Sequence, residues 1–397
     1  MKFTVERDAL AEAVAWAARA LPARPVMPVL AGLLLTAGQD EKQDQNGFGF
    51  LTLSCFDYEV SARVRVHAEV AEPGTVLVPG RLLVEIVRSL PPHQVEFADD
   101  PDGVSVTCGD AAFMLTPLPA AEYPELPELP QLAGTADGGA LAAAISQVTP
   151  AASRDDTLPM LTAVSVEFDG ATMTLAATDR YRLAVRDLAW SPAPGVGDQG
   201  RIGLLVPART LGDAARMMSH GTDVRVMLLP PGDTRQAAEA MIGFETGDRR
   251  LTTRLLAGEF IRYRSRFPEE FGCTADLPAE AFAEAVRRVA LVAERGTPVQ
   301  LTFAPGRVTV GAATQGQARA RETVAADFTG NEPSIAFSPQ YLLDGVTAAA
   351  AAVGGNLAPE AAQVRLRFTS PAKPAVISPV SGADGDFRYL VVPQRLR

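Results

Sequence analysis

The chain has 397 residues, 47% hydrophobic and 21% charged, long enough for several domains and apolar enough to give each a core. Lys and Arg number 36 against 47 Asp and Glu, a formal charge of −11, which excludes a uniformly basic nucleic-acid coat but leaves room for a segregated basic patch. Three cysteines, Cys55, Cys108 and Cys273, are odd in number, too scattered for a zinc pattern, and suited to a reducing compartment.

The start, Met1-Lys2-Phe3-Thr4-Val5-Glu6-Arg7, has no apolar run behind its charges and does not read as a signal peptide. No stretch reaches about 18 uninterrupted apolar residues, so no membrane span is predicted and the expected location is cytoplasmic. Ala9-Leu10-Ala11-Glu12-Ala13-Val14 has the spacing of an amphipathic helix. The pattern returns at Ala140-Leu141-Ala142-Ala143-Ala144-Ile145 and at Ala281-Phe282-Ala283-Glu284-Ala285-Val286. Each copy is followed by a proline leading into an apolar run, at Pro28, Pro159 and Pro298. Leu10 to Leu141 and Pro28 to Pro159 are both 131 residues, so one register holds across two features.

A second element also recurs. Thr75-Val76-Leu77-Val78-Pro79, Gly203-Leu204-Leu205-Val206-Pro207 and Ile335-Ala336-Phe337-Ser338-Pro339 read as strands ended by proline, which then occupies the first turn of a helix. Alternating runs such as Leu51-Thr52-Leu53-Ser54-Cys55 read as half-buried strands between the helices. The prediction is an α+β chain of three repeated domains, at 1–128, 135–265 and 272–397. The stretches Pro124–Pro130 and Phe267–Glu270 read as linkers.

Enzyme motifs are lacking. His67, His93 and His220 stand in unrelated contexts, and no phosphate loop, nucleophile elbow or paired metal-ligand motif occurs. Asp155-Asp156 and Asp99-Asp100-Pro101-Asp102-Gly103 read as turns rather than metal sites. No catalytic residue, metal or cofactor is predicted. The basic residues carry more information: Arg81 and Arg88, Arg209 and Arg216, and Arg288 and Arg295 are each seven apart, which is two helical turns on one face. Such a surface would hold phosphate backbone without reading sequence.

Several stretches resemble a known family, the bacterial DNA polymerase III β subunit or replicative sliding clamp. They are Leu21-Pro22-Ala23-Arg24-Pro25, Phe56-Asp57-Tyr58-Glu59-Val60, Asp155-Asp156-Thr157-Leu158-Pro159-Met160-Leu161, Ala177-Thr178-Asp179-Arg180-Tyr181-Arg182-Leu183-Ala184-Val185, Arg254-Leu255-Leu256 and Tyr389-Leu390-Val391-Val392-Pro393-Gln394-Arg395-Leu396. The likeness covers essentially the whole chain, and its Ala-, Arg- and Pro-rich flavour is similar to actinobacterial clamps.

The resemblance implies the DNA-clamp fold, with two helices and two β-sheets per domain and a head-to-tail homodimer closing a six-domain ring. The arginine pairs, with Arg24 and Arg154, would then face duplex DNA in the hole. It implies a non-catalytic processivity factor that tethers the polymerase III α subunit, the clamp loader and repair polymerases through a peptide pocket between the second and third domains. Carried over by position, that pocket comprises Leu161, Thr178, Arg180, Tyr181, Arg182, Leu183, Leu390, Val391, Val392, Pro393, Gln394, Arg395 and Leu396, with Ser338 and Tyr341 on its rim. Arg182 is expected to fix a polar partner group. The contrasting expectation is a clamp-fold scaffold that binds partners without being loaded on DNA.

Three departures fall on or beside the same pocket. Val392-Pro393-Gln394 stands where many clamps carry methionine-proline-methionine or -valine, Ile261 where proline is usual, and Arg266 where an aliphatic residue is usual. They raise the expectation of a second clamp copy that keeps partner peptides and rejects a cyclic-peptide inhibitor, similar to the griselimycin-resistance clamps of antibiotic-producing actinobacteria.

Overall fold

The computed structural model describes residues 1–38, 48–196, 200–218, 221–229, 240–294, 296–314, 318–352, 362–380 and 386–395. They form two compact units, Met1–Thr135 with Thr222–Leu255, and Ala136–Gly221 with Leu256–Arg397. The helices are α1 (Arg7–Ala17), α2 (Gly80–Ser89), α3 (Gly138–Val148), α4 (Ala208–Ala215), α5 (Ala279–Ala290) and α6 (Pro339–Ala351). Among the described residues none is long and apolar enough to cross a membrane.

The repeated sequence elements form repeated structure. Helices α1, α3 and α5 each follow a strand, Lys2–Val5, Gln131–Asp137 and Cys273–Pro278. Asp137 caps α3, its Oδ1 accepting from the Ala140 N–H at 2.8 Å. Helices α2, α4 and α6 follow the strands Gly74–Pro79, Ile202–Pro207 and Ser334–Phe337. Only Pro339 lies inside its helix; Pro79 and Pro207 stand one residue earlier, at the N-cap, where their extended backbone ends the strand. The helices pack in pairs, α1 with α2, α3 with α4 and α5 with α6. Their apolar faces, such as Leu10, Ala13, Val14 and Ala17 of α1, are buried.

The sheets are antiparallel and each unit knits two repeats together. In the first unit the strand Arg249–Arg254 pairs with Val60–Glu72, placing Leu251 opposite Ala62. In the second, Phe387–Val391 pairs with Arg182–Ala189, placing Leu390 opposite Leu183. The same seam is thus made twice: the last strand of one repeat adds to the fourth strand of the repeat before it. Among the described residues, the last strand of the first repeat, Ala111–Leu115, and the fourth strand of the third, Ala318–Ala325, end their sheets.

Two tight places test the packing. A Cβ on Gly345 of α6 would lie 2.5 Å from Tyr389 Cδ1, so only glycine lets α6 rest this closely on the strand Phe387–Val391. Cys55 is fully buried, its Sγ–H donating to the Ala17 carbonyl at 3.2 Å, and burial pushes its thiol pKa up to about 12. Cys55 is therefore expected to resist alkylation in the native protein at pH 8 and to react only on unfolding, as mass spectrometry of labelled protein would show. Because the folded thiol holds its proton while the unfolded thiol, near 9.0, releases it, Cys55 leaves stability intact below pH 9 and erodes it between 9 and about 12.

The acidic turns match their sequence reading. Asp155 Oδ1 accepts from Thr157 N at 3.0 Å and Thr157 Oγ1 at 2.7 Å, and Asp100 Oδ1 accepts from Asp102 N at 3.1 Å between the strands Val95–Asp100 and Gly103–Cys108. His67 is exposed on its strand, and His220 lies outside the described residues.

Candidate functional site

Many of the residues expected at the peptide site gather at the seam of the second unit. It begins at a turn, Thr178-Asp179-Arg180-Tyr181-Arg182, in which Arg180 adopts φ 80°. A non-glycine residue in that region costs about 1–3 kcal/mol and persists only where its surroundings over-determine it. Here they do. Thr178 Oγ1 accepts from Arg180 N at 3.1 Å and donates to the Arg182 carbonyl at 2.5 Å. Asp179 Oδ1 accepts from Tyr181 N at 3.0 Å and Arg182 N at 3.1 Å. The turn pushes Tyr181 out to 54% exposure, its ring 6.4 Å from that of Tyr341 on α6.

Arg182 points the other way and is buried. Its Nε donates to Asp179 Oδ2 at 2.9 Å, its Nη1 pairs with Asp344 of α6, and its Cζ lies 4.4 Å from the Tyr341 ring centre. Burial opposes the charge, but Tyr389, Asp344 and Asp179 outweigh it and hold the guanidinium pKa above its usual value. Its charge is thus already met twice within the chain, and it fastens α6 to the turn. Tyr389 completes that side, its hydroxyl donating to the Tyr341 carbonyl at 2.9 Å. Val391, opposite Arg182 and fully buried, belongs to this inner face and supports the site from behind.

The alternate residues form the outer face. Leu183 and Leu390 face each other across the seam and pack with Ala176, Val185 and Tyr263, flanked by half-buried Phe260, Phe267 and Val392. The segment around Phe267, read from sequence as a linker, is a wall of this cluster. Tyr263 anchors it: its hydroxyl donates to Glu167 Oε2 at 3.0 Å, where Arg264 at 2.7 Å and Arg201 also donate. Burial pushes the Glu167 pKa up, but the Arg264, Arg201 and Tyr263 donors prevail and hold it below its usual value. Arg388 lies 5.1 Å from the Phe267 ring centre.

The carboxyl-terminal segment ties back to the turn and to the strand before α6. Val392 N donates to the Tyr181 carbonyl at 2.9 Å, and Gln394 N to the Ala336 carbonyl at 2.8 Å. Pro393 is half-buried, Gln394 and Arg395 are exposed, and Leu396 lies outside the described residues. Leu161 is buried, with Met160 beside it 41% exposed, and Ser338 is half-buried at the N-cap of α6. Ile261 and Arg266 are exposed and stand outside the aromatic cluster. Phe260, Tyr263 and Phe267, which sequence reasoning passed over, do the packing instead. Their spacing of three and four within an arginine-rich loop was the available signal.

The arginines assigned to DNA divide. Arg24, Arg81, Arg88, Arg154, Arg209, Arg216 and Arg288 are all exposed. Only Arg81 and Arg88 lie on one helix at the expected spacing; Arg216 is the C-cap of α4, and α5 ends at Ala290, with Arg295 outside the described residues. Arg288 is held by Glu322 at 2.7 Å and Glu284 at 2.9 Å, and Arg216 by Asp213, so their charge is largely answered within the chain.

Repeated α+β domains, joined strand to strand with a buried aliphatic-aromatic cluster at one seam, define the class of clamp proteins. Models for the N-terminal, central and C-terminal domains of the DNA polymerase III beta subunit match residues 1–127, 136–261 and 264–395. The chain belongs to that family, the bacterial sliding clamps. It is 48% identical to the beta sliding clamp of Streptomyces coelicolor and 42% identical to the beta sliding clamp homolog GriR of Streptomyces muensis, covering 100% of this chain in both and 100% and 99% of the relatives. The structure is similar to the Bacillus subtilis sliding clamp (TM-score 0.85, 24% identity) and to the Pseudomonas aeruginosa clamp bound to griselimycin (TM-score 0.84, 26% identity), each with full coverage of both chains.

Proposed function

We propose that two copies of this chain close head to tail into a cytoplasmic ring that encircles duplex DNA and holds the replicative polymerase through an extended peptide in the slot around Leu183 and Leu390. The observation that carries the ring is the unfinished seam. Twice within the chain a last strand adds to the fourth strand of the preceding repeat, and the two strands of those kinds left over, Ala111–Leu115 and Ala318–Ala325, both end their sheets. A second copy makes that third seam. Charge agrees, since exposed Asp110 adjoins one strand and exposed Arg319 and Arg321 lie on the other. Tethering then acts through effective concentration, since a held polymerase rebinds its primer as an intramolecular event.

The sequence-blind grip on DNA rests on Arg24, Arg154 and Arg209, exposed and without a carboxylate partner among the described residues. Arg24→Ala and Arg209→Ala are each expected to flatten the dependence of log K on log salt by about 0.9 for duplex DNA. Fluorescence anisotropy of labelled duplex across a salt series measures this. A sedimenting dimer that shows no salt-sensitive DNA binding would favour the unloaded-scaffold reading.

A second reading, an inhibitor-rejecting clamp copy, draws on Val392 packing at the slot and on the full-length likeness to GriR. Valine is stiffer than the adaptable methionine usual there. The tethering reading is preferred because identity to the Streptomyces coelicolor clamp is higher and Ile261, Arg266 and Gln394 are exposed. Griselimycin binding as tight as that of a methionine-bearing clamp would discard the second reading.

A further inference from the structure

The seam of the first unit carries a feature that tethering does not use. Along the strands Phe48–Phe56, Val60–Glu72 and Arg249–Arg254, the residues Leu51, Leu53, Cys55, Val64 and Leu251 are buried on the side covered by α1. Their alternates, Thr52, Arg63, Arg65 and Arg250, therefore share the opposite face. There a cavity of about 300 Å³ opens, lined by Thr36, Phe50, Thr52, Arg63, Arg65, Arg250 and the carboxylate of Asp248.

Among the described residues, Arg63 is the cavity's unanswered charge. Arg250 and Arg225 share one buried carboxylate, Glu245. Arg63 stands directly opposite Arg250 across the seam and has no carboxylate partner among the described residues. Burial and the neighbouring Arg250 both push the Arg63 pKa below its usual value. Arg65 adds a third guanidinium, its Cζ 4.1 Å from the Phe50 ring centre. Like charges placed directly across two strands weaken a sheet. The other seam avoids this, since Arg388 there meets Asp187. Asp248 is the one carboxylate lining the cavity among the described residues, and it makes no ion pair with Arg63.

We infer that this cavity binds the phosphate chain of a small polyphosphate or nucleoside triphosphate, with Arg63, Arg65 and Arg250 as guanidinium clamps and the Thr36 and Thr52 hydroxyls as further donors. Planar guanidinium forks match phosphate oxygens two at a time. The volume is at the lower end of small-ligand pockets. Phe50 is already engaged by Arg65 and by His67, 4.8 Å away ring to ring, so recognition falls on the phosphates rather than on a stacked base. This site is independent of the peptide slot and of ring closure.

The test is calorimetric titration of the full chain with inorganic tripolyphosphate, dATP and citrate at one ionic strength, with thermal unfolding alongside. Tripolyphosphate and dATP are expected to bind alike, to raise the unfolding temperature, and to outbind citrate. Arg63→Gln is expected to weaken both by roughly tenfold, ~1.4 kcal/mol, while leaving the ligand-free unfolding temperature equal or higher because it relieves the Arg63–Arg250 repulsion. No heat with tripolyphosphate at millimolar concentration overturns the inference. So does citrate binding as tightly, which would mark a carboxylate or acidic-peptide site, and so does dATP binding alone. An Arg63→Gln protein that melts well below the parent would make Arg63 structural and overturn it equally.

Discussion

Replacing Arg182 with alanine is expected to destabilise the unit 136–221 with 256–397 by about 3–5 kcal/mol, because removing one partner of a buried ion pair leaves the other charge uncompensated. Two carboxylates are stranded here, Asp179 and Asp344, whose side chains are only 12% and 21% exposed. The same change removes the ring-stacked guanidinium between the Tyr181 turn and α6. Arg182→Lys keeps the charge but not the fork, and should recover only part of the loss. Urea unfolding of both variants, with Asp344→Asn and the double variant to isolate the pair, measures this. A loss below about 1 kcal/mol, the range of an exposed pair, would show that Arg182 is free to serve a ligand after all.

Tyr263→Ala is expected to cost a similar amount, about 3–5 kcal/mol, as for other buried aromatic truncations. Tyr263 is 2% exposed and is the one member of the outer cluster that also reaches Glu167. Without it the wall Phe260–Phe267 loses its anchor, and Leu183 and Leu390 lose their cover. Tyr263→Phe separates the two roles: it keeps the packing and removes one hydrogen bond to a carboxylate, about 1.5–3 kcal/mol. Glu167 gives the wall a pH dependence of definite sign. Its folded pKa lies below the ordinary 4.5, so its contribution is whole above that value and is lost as the pH falls through the folded value. Tyrosine fluorescence followed through an acid titration should therefore report loosening of the wall below pH 4.5, with a smaller change in Tyr263→Phe.

The repeats were legible because they are written in local signals. The helical spacing at Leu10, Leu141 and Phe282 and the prolines at 79, 207 and 339 between strand and helix need no long-range information, and all six helices lie at or beside those signals. The positions expected for the peptide site come only from resemblance, since nothing in the spacing of Thr178 to Leu183 announces that Leu183 meets Leu390 some two hundred residues later. What that reading missed is tertiary. No local signal shows that Arg182 pairs with Asp344, 162 residues away. Nor does any show that Val391 shares the Arg182 face of the seam, opposite to that of Leu390. Phe267 sits where local rules assign a linker, and Phe260 and Tyr263 sit in the charged stretch just before it. Only the partners Glu167 and Arg388 reveal it as a wall.

The central claim is that the outer face of the second seam receives an extended peptide. The direct measurement is titration of a fluorescent peptide of the polymerase clamp-binding type, Gln-Leu-x-Leu-Phe, against the full chain and against Tyr181→Ala. Tyr181 is 54% exposed, so this variant should fold as the parent does. Binding near 1 μM, about −8 kcal/mol, weakened at least roughly tenfold in Tyr181→Ala, is the predicted result. No binding to the folded protein, or equal binding by the two, would contradict the assignment of this slot.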